Sequence, residues 1–115
     1  RARRIVNVVS VQNRYNVSDR TSDTVLATCE RERMAFIPWS PLSQSPREAR
    51  EGPRARLAEW ADARGVSFAQ GAIAWLLARS PAMLPIPGTS SLAHLEDNLA
   101  AAELTLSAEE LAAVG

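Results

Sequence analysis

Leu84-Pro85-Ile86-Pro87-Gly88-Thr89-Ser90-Ser91-Leu92-Ala93-His94-Leu95-Glu96-Asp97-Asn98 joins a short apolar strand to a helix through a glycine followed by three hydroxyls. A glycine lets the backbone approach an anion, successive N–H groups converge on it, and the positive end of a helix dipole favours negative charge there. Gly88, Thr89 and Ser90 therefore form a candidate phosphate loop. The plain alternative is a tight turn with an N-cap. Ser91 or Ser90 caps the helix, whose Leu92, Leu95 and Leu99 are expected to face inward. Met83 to Ile86 reads as a strand kept short by prolines.

Working outward, Ile5-Val6-Asn7-Val8-Val9-Ser10-Val11 is rich in β-branched residues and nearly continuous in apolar character, as for a parallel strand buried on both faces. Ser22 can cap a helix from about Asp23 to Arg33 with Val25, Leu26 and Cys29 on its inner face, and Ala35 to Trp39 is a second strand. Pro41 to Pro53 reads as a long functional loop. Arg54 to Arg64 carries Leu57, Trp60 and Ala61 at helical spacing and ends at Gly65. Ser67-Phe68-Ala69-Gln70 fits a capping box ahead of a helix with Ile73, Leu76 and Leu77 inward, stopped by Ser80-Pro81. Ser107-Ala108-Glu109-Glu110 opens a terminal helix, and Trp60 and Trp75 fall on core stripes. The alternation of strand and helix predicts βαβ units with a parallel sheet. Three such strands alone leave two open edges, so partners are expected elsewhere.

The 115 residues amount to one small domain, well short of the roughly 250 of a full (β/α)8 barrel. Arg1-Ala2-Arg3-Arg4 runs into the apolar stretch without an initiator Met, which reads as a cut inside a larger chain. Thirteen basic residues, every one an arginine, balance thirteen acidic ones, so no global field recruits nucleic acid or a membrane. Arginine without lysine, together with abundant alanine, reads as a GC-rich bacterial composition. No apolar run approaches the ~20 residues of a membrane span. A single Cys29 excludes an internal disulfide framework, and the expected compartment is cytoplasmic. One His and one Cys do not make a zinc site of the usual ligand count, and no Gly-x-Ser-x-Gly elbow presents a nucleophile. Arg47, Arg50, Arg54 and Arg56, interspersed with Glu48 and Glu51, read as a solvated face.

Three strings, Val11-Gln12-Asn13-Arg14-Tyr15-Asn16, Ala35-Phe36-Ile37-Pro38-Trp39-Ser40-Pro41-Leu42 and Leu84 to Asn98, resemble in order the aldo-keto reductase family, in the branch of bacterial pyridoxal reductase-like oxidoreductases. The resemblance implies an α/β fold: the C-terminal part of a (β/α)8 barrel, about three βα units plus a terminal helix. The whole of 1–115 would then be an incomplete domain that requires the N-terminal half of the barrel. The implied function of the parent is NAD(P)H-dependent reduction of an aldehyde or ketone to an alcohol, with NADP as cofactor and NAD possible.

In that setting Gln12 holds the nicotinamide carboxamide, whose donor and acceptor complement an amide side chain. Its alternative is a strand-end Gln satisfied by a neighbouring loop. Trp39 stacks on the nicotinamide face, or else belongs to the core. Ser40, Pro41 and Leu42 approach the pyrophosphate, and Gly88, Thr89 and Ser90 the phosphates. His94, Asp97 and Asn98 meet the 2′-phosphate and adenine; His94 stands where an arginine is commonest, and a solvated His is its alternative. Asn13 and Tyr15 pack or cap the loop. The family's Asp, Tyr, Lys and His tetrad has no counterpart here: there is no lysine, and the single Tyr15 lies in the cofactor string. The alternative function is a non-catalytic half-barrel that binds nucleotide or assembles with a partner. No catalytic or metal residue is assigned.

Overall fold

The structure, a computed structural model, describes residues 1–42 and 51–115. Two strands, β1 (Ser10–Arg14) and β2 (Ala35–Trp39), pair in parallel, joined by α1 (Asp23–Glu32). Their register sets Gln12 beside Ile37 and Arg14 beside Trp39. A third strand is present only as a bridge between Phe36 and Met83: Leu84 N donates to Phe36 O and Phe36 N donates to Ala82 O, each at 2.8 Å. Pro85 and Pro87 have no N–H with which to continue that ladder. The Pro41 to Pro53 loop and its Arg47, Glu48 and Arg50 lie largely outside the described residues.

Four further helices follow: α2 (Pro53–Arg64), α3 (Phe68–Arg79), α4 (Leu92–Ala100) and α5 (Ala108–Val114). Pro53 starts α2 where a helix has no use for its N–H, and Gly65 at φ 68° ends it. Ser67 caps α3 through its hydroxyl, which accepts from Gln70 N at 3.0 Å. The capping box expected at α5 is complete, with Ser107 and Glu110 each accepting the other's backbone N–H. Ser22 precedes α1 without capping it: its hydroxyl accepts from Asn13 Nδ2 instead.

The helices cover one face of the sheet. Phe36 and Pro38 of β2 are buried there, and Tyr15, just past β1, has no exposed surface. Tyr15 meets Phe36 edge to face at 5.5 Å and stacks on Trp75 of α3 at 6.2 Å. Leu57, Leu76 and Val114 complete the centre of the core. Trp75 is core as expected, while Trp60 is half-buried and donates to Glu110 Oε1 at 3.0 Å.

Three expectations are corrected. The apolar run from Ile5 follows a single helical turn (Ala2–Arg4) and enters the sheet only at Ser10. Ile5, Val6 and Val9 are 84%, 58% and 68% exposed, because only Val8 and Val11 of this run reach the core. The stripe Leu92, Leu95 and Leu99 points outward, and Leu77 is also exposed. The hydrophobic spacing of α4 is that of an amphipathic helix, but no described segment packs on its apolar side. The sheet, expected to be covered on both faces, is covered on one.

Burial and the Asp23 carboxylate, which accepts the Tyr15 hydroxyl at 2.5 Å, push that hydroxyl up to about 12 from its ordinary 10.0. A raised acid of this kind contributes stability that is whole below pH 10 and lost as pH climbs through about 12. Urea midpoints of the full-length protein are therefore expected to fall over that range. Tyr15→Phe should be less stable below pH 10 and should converge on wild type above it; parallel curves would contradict the assignment.

Candidate functional site

Strand alternation decides which side chains are free. With Val11, Asn13, Phe36 and Pro38 turned to the helices, Gln12, Arg14, Ile37 and Trp39 share the opposite face. Trp39 is 47% exposed at the C-terminal end of β2, and Arg14 Cζ lies 5.9 Å from its ring centroid. Arg14 Nε is 3.5 Å from Asp19 Oδ2, so the guanidinium is held between a carboxylate and an indole. Gln12 is exposed one register step below, and among the described residues its amide has no hydrogen-bond partner. An aromatic plane at the C-terminal end of β2 and a free amide midway along β1 thus lie on one face of the sheet, the plane at the edge where barrels carry their chemistry.

The chain leaves β2 through Ser40, whose φ of 54° is in the left-handed region. Buried Asn16 holds it there. Its Nδ2 donates to Ser40 O at 3.0 Å, and its Oδ1 accepts from the N–H groups of Ser18 and Asp19, each at 2.9 Å. One amide thereby ties the exit of β1 to the exit of β2. From sequence alone Asn16 carries no site role. An Asn two and three residues ahead of the N–H groups it accepts is the signal of an Asx turn that could have found it.

In the second segment Thr89 Oγ1 accepts from Ser91 N at 3.1 Å, and Ser91 Oγ accepts from His94 N at 3.4 Å. The hydroxyls thus shape the loop and cap α4. The N–H groups of Gly88, Thr89 and Ser90 have no acceptor among the described residues, and all three residues are exposed. His94 is exposed, Asn98 is half-exposed, and the Asp97 carboxylate accepts a short hydrogen bond from Ser67 Oγ. Ser67 therefore serves two elements, capping α3 and fixing α4, a contact the sequence did not disclose. Pro41 and Leu42 are half-buried, and Leu42 packs on the core.

Across residues 1–115 the chain matches the Aldo/keto reductase family, and it belongs to that family. It is 46% identical over 105 residues to the uncharacterized oxidoreductase C215.11c of Schizosaccharomyces pombe, covering 91% of this chain and 33% of that protein. It is 41% identical over 111 residues to pyridoxine 4-dehydrogenase of Escherichia coli, covering 96% of this chain and 37% of that protein. The chain thus spans about a third of the length of these relatives, which come from a fungus as well as a bacterium. The thermostable aldo-keto reductase Tm1743, solved with the inhibitor epalrestat, superposes with a TM-score of 0.80 at 30% identity over 94% of this chain and 39% of that one. An aldo/keto reductase of Klebsiella pneumoniae in complex with NADP and acetate gives 0.78 at 30% identity over 92% and 38%. The fold is accordingly α/β, a piece of the (β/α)8 barrel of aldo-keto reductases. No helix among the described residues is long and apolar enough to cross a membrane.

Asn16→Ala strands two N–H groups and a carbonyl in a buried site, and is expected to cost the full-length protein about 3 kcal/mol. Chemical denaturation measures it. A loss within experimental error would show that Asn16 does not tie the strand exits together.

Proposed function

We propose that the full-length protein is an NADP-dependent reductase of small aldehydes or ketones and that this chain supplies the cofactor-binding part. The observation that carries the reading is the free sheet face that Gln12, midway along β1, shares with Trp39 at the C-terminal end of β2. The similarity to enzymes such as pyridoxine 4-dehydrogenase and to the NADP complex from Klebsiella supports it.

The residues suit a dinucleotide. Trp39 offers a flat apolar surface for one face of the nicotinamide, leaving the other open to substrate. Gln12, with donor and acceptor both free, matches the carboxamide and fixes the ring's rotation. Ser40, Pro41 and Leu42 carry the backbone past the pyrophosphate. The N–H groups of Gly88, Thr89 and Ser90, without acceptors among the described residues, lie just ahead of α4, where a phosphate is favoured. His94 in the first turn of α4 and Asn98 one turn further on are available for the 2′-phosphate and adenine. Asp97, held by Ser67, serves this end by fixing the helix. When bound, the cofactor supplies the hydride that turns the carbonyl into an alcohol. The proton donor that this requires belongs to the remainder of the protein, since this chain has no lysine to tune a tyrosine and its Tyr15 is buried and raised to about 12.

Trp39→Ala is expected to weaken NADPH binding by about 1 kcal/mol and to slow carbonyl reduction. Fluorescence titration and steady-state kinetics of the full-length protein read both, and unchanged values would return Trp39 to a packing role. His94→Arg should raise the preference for NADPH over NADH by about tenfold, because an arginine fork engages phosphate bidentately and stays charged. A ratio of dissociation constants left where it was would remove His94 from the 2′ position.

A further inference from the structure

Trp75 Nε1 and Arg79 Nε are buried donors with no acceptor, and among the described residues no other buried side-chain nitrogen or oxygen lacks a partner. Buried polar groups are nearly always paired, so two orphan donors call for a common explanation. They have a common location. Trp75, only 1% exposed, and Arg79 line one cavity of about 290 Å³ with Arg20, Leu111 and Gly115. Arg20 Cζ lies 5.2 Å from the Trp75 ring centroid, and Arg20 has no carboxylate partner among the described residues. The Asp23 carboxylate takes Arg79 Nη2 at 3.2 Å and the Tyr15 hydroxyl at 2.5 Å, so it neutralises one of the two guanidiniums and leaves Arg79 Nε unpaired.

The lining therefore offers the Trp75 indole N–H and two guanidiniums, that of Arg79 carrying the second orphan donor, and it contains no acidic side chain. The volume is about ten times the ~30 Å³ share of a water molecule, which leaves room for a small polyatomic ion. Water alone would satisfy the donors without pairing the Arg20 guanidinium, the one of the two that Asp23 does not neutralise, whereas an oxyanion does both through charge-assisted bonds. We propose that this cavity, bounded by α3, α5 and the loop that carries Arg20, binds a small oxyanion: a carboxylate or a phosphate group accepting from Trp75 Nε1, Arg79 Nε and Arg20. None of the lining residues belongs to the segments proposed for the dinucleotide, and the inference stands without that reading.

The test is the indole N–H signal of Trp75 in nitrogen-15 spectra of the full-length protein, identified by its loss in Trp75→Phe. Phosphate and acetate are titrated separately against chloride at matched ionic strength, with and without saturating NADPH. A saturable shift with phosphate, acetate or both, absent with chloride and preserved with NADPH, is expected. Phosphate alone would mark the source as a phosphate group, and acetate alone as a carboxylate. Arg20→Gln should weaken the binding at least tenfold, which serves equally if Trp75→Phe does not fold. A signal that neither anion moves, a shift that grows without saturating, a shift that NADPH abolishes, or an Arg20→Gln response equal to wild type would each overturn the proposal.

Discussion

Parallel pairing of β1 with β2 over a single covered face is the constraint on which the rest depends. Because strand side chains alternate, burying Phe36, Pro38 and Tyr15 against the helices leaves Gln12, Arg14 and Trp39 no position except the opposite face. A slip of β1 by one residue would bury Arg14 and Gln12 without partners and turn Val11 out of the core, at a cost far above any gain. The free amide and the free indole are thus consequences of how the core packs. The Asn16 amide finishes the arrangement by closing the two strand exits on each other.

The helical layer holds the second segment by other means. A hydroxyl of Ser67 links the start of α3 to Asp97 of α4, and Glu110 of α5 gathers Trp60 and Arg64 of α2. The carboxyl of Glu110 sits at about 2, held down by the Ser107 N–H, the Trp60 indole and the Arg64 guanidinium. Single side chains with two or three partners each therefore set the spacing of helices whose intrinsic amphipathicity only says which faces are apolar.

Much of this was legible in the sequence because it rests on local rules. The bounds of α1 and β2, the glycine end of α2, the Ser91 cap and the Ser107 capping box follow from chemistry within a few residues of each site. The strings around Gln12, Trp39 and Gly88 resemble the family to which the chain belongs. What stayed hidden is long-range. Ser22 looks like a cap, yet it serves Asn13; Asp97 looks free, yet Ser67 occupies it. Leu92, Leu95 and Leu99 carry an inward pattern that nothing in the described residues answers. The run from Ile5 reads as a strand from composition alone, and only the pairing with Ala35 shows that it starts at Ser10.

The most direct measurement of the central claim is amide hydrogen exchange in the full-length protein with and without NADPH. Trp39 to Leu42 and Gly88 to His94 are expected to slow together on binding, since the two segments would grip opposite ends of one molecule. Exchange unchanged in both segments, with protection elsewhere, would contradict the claim that this chain holds the cofactor.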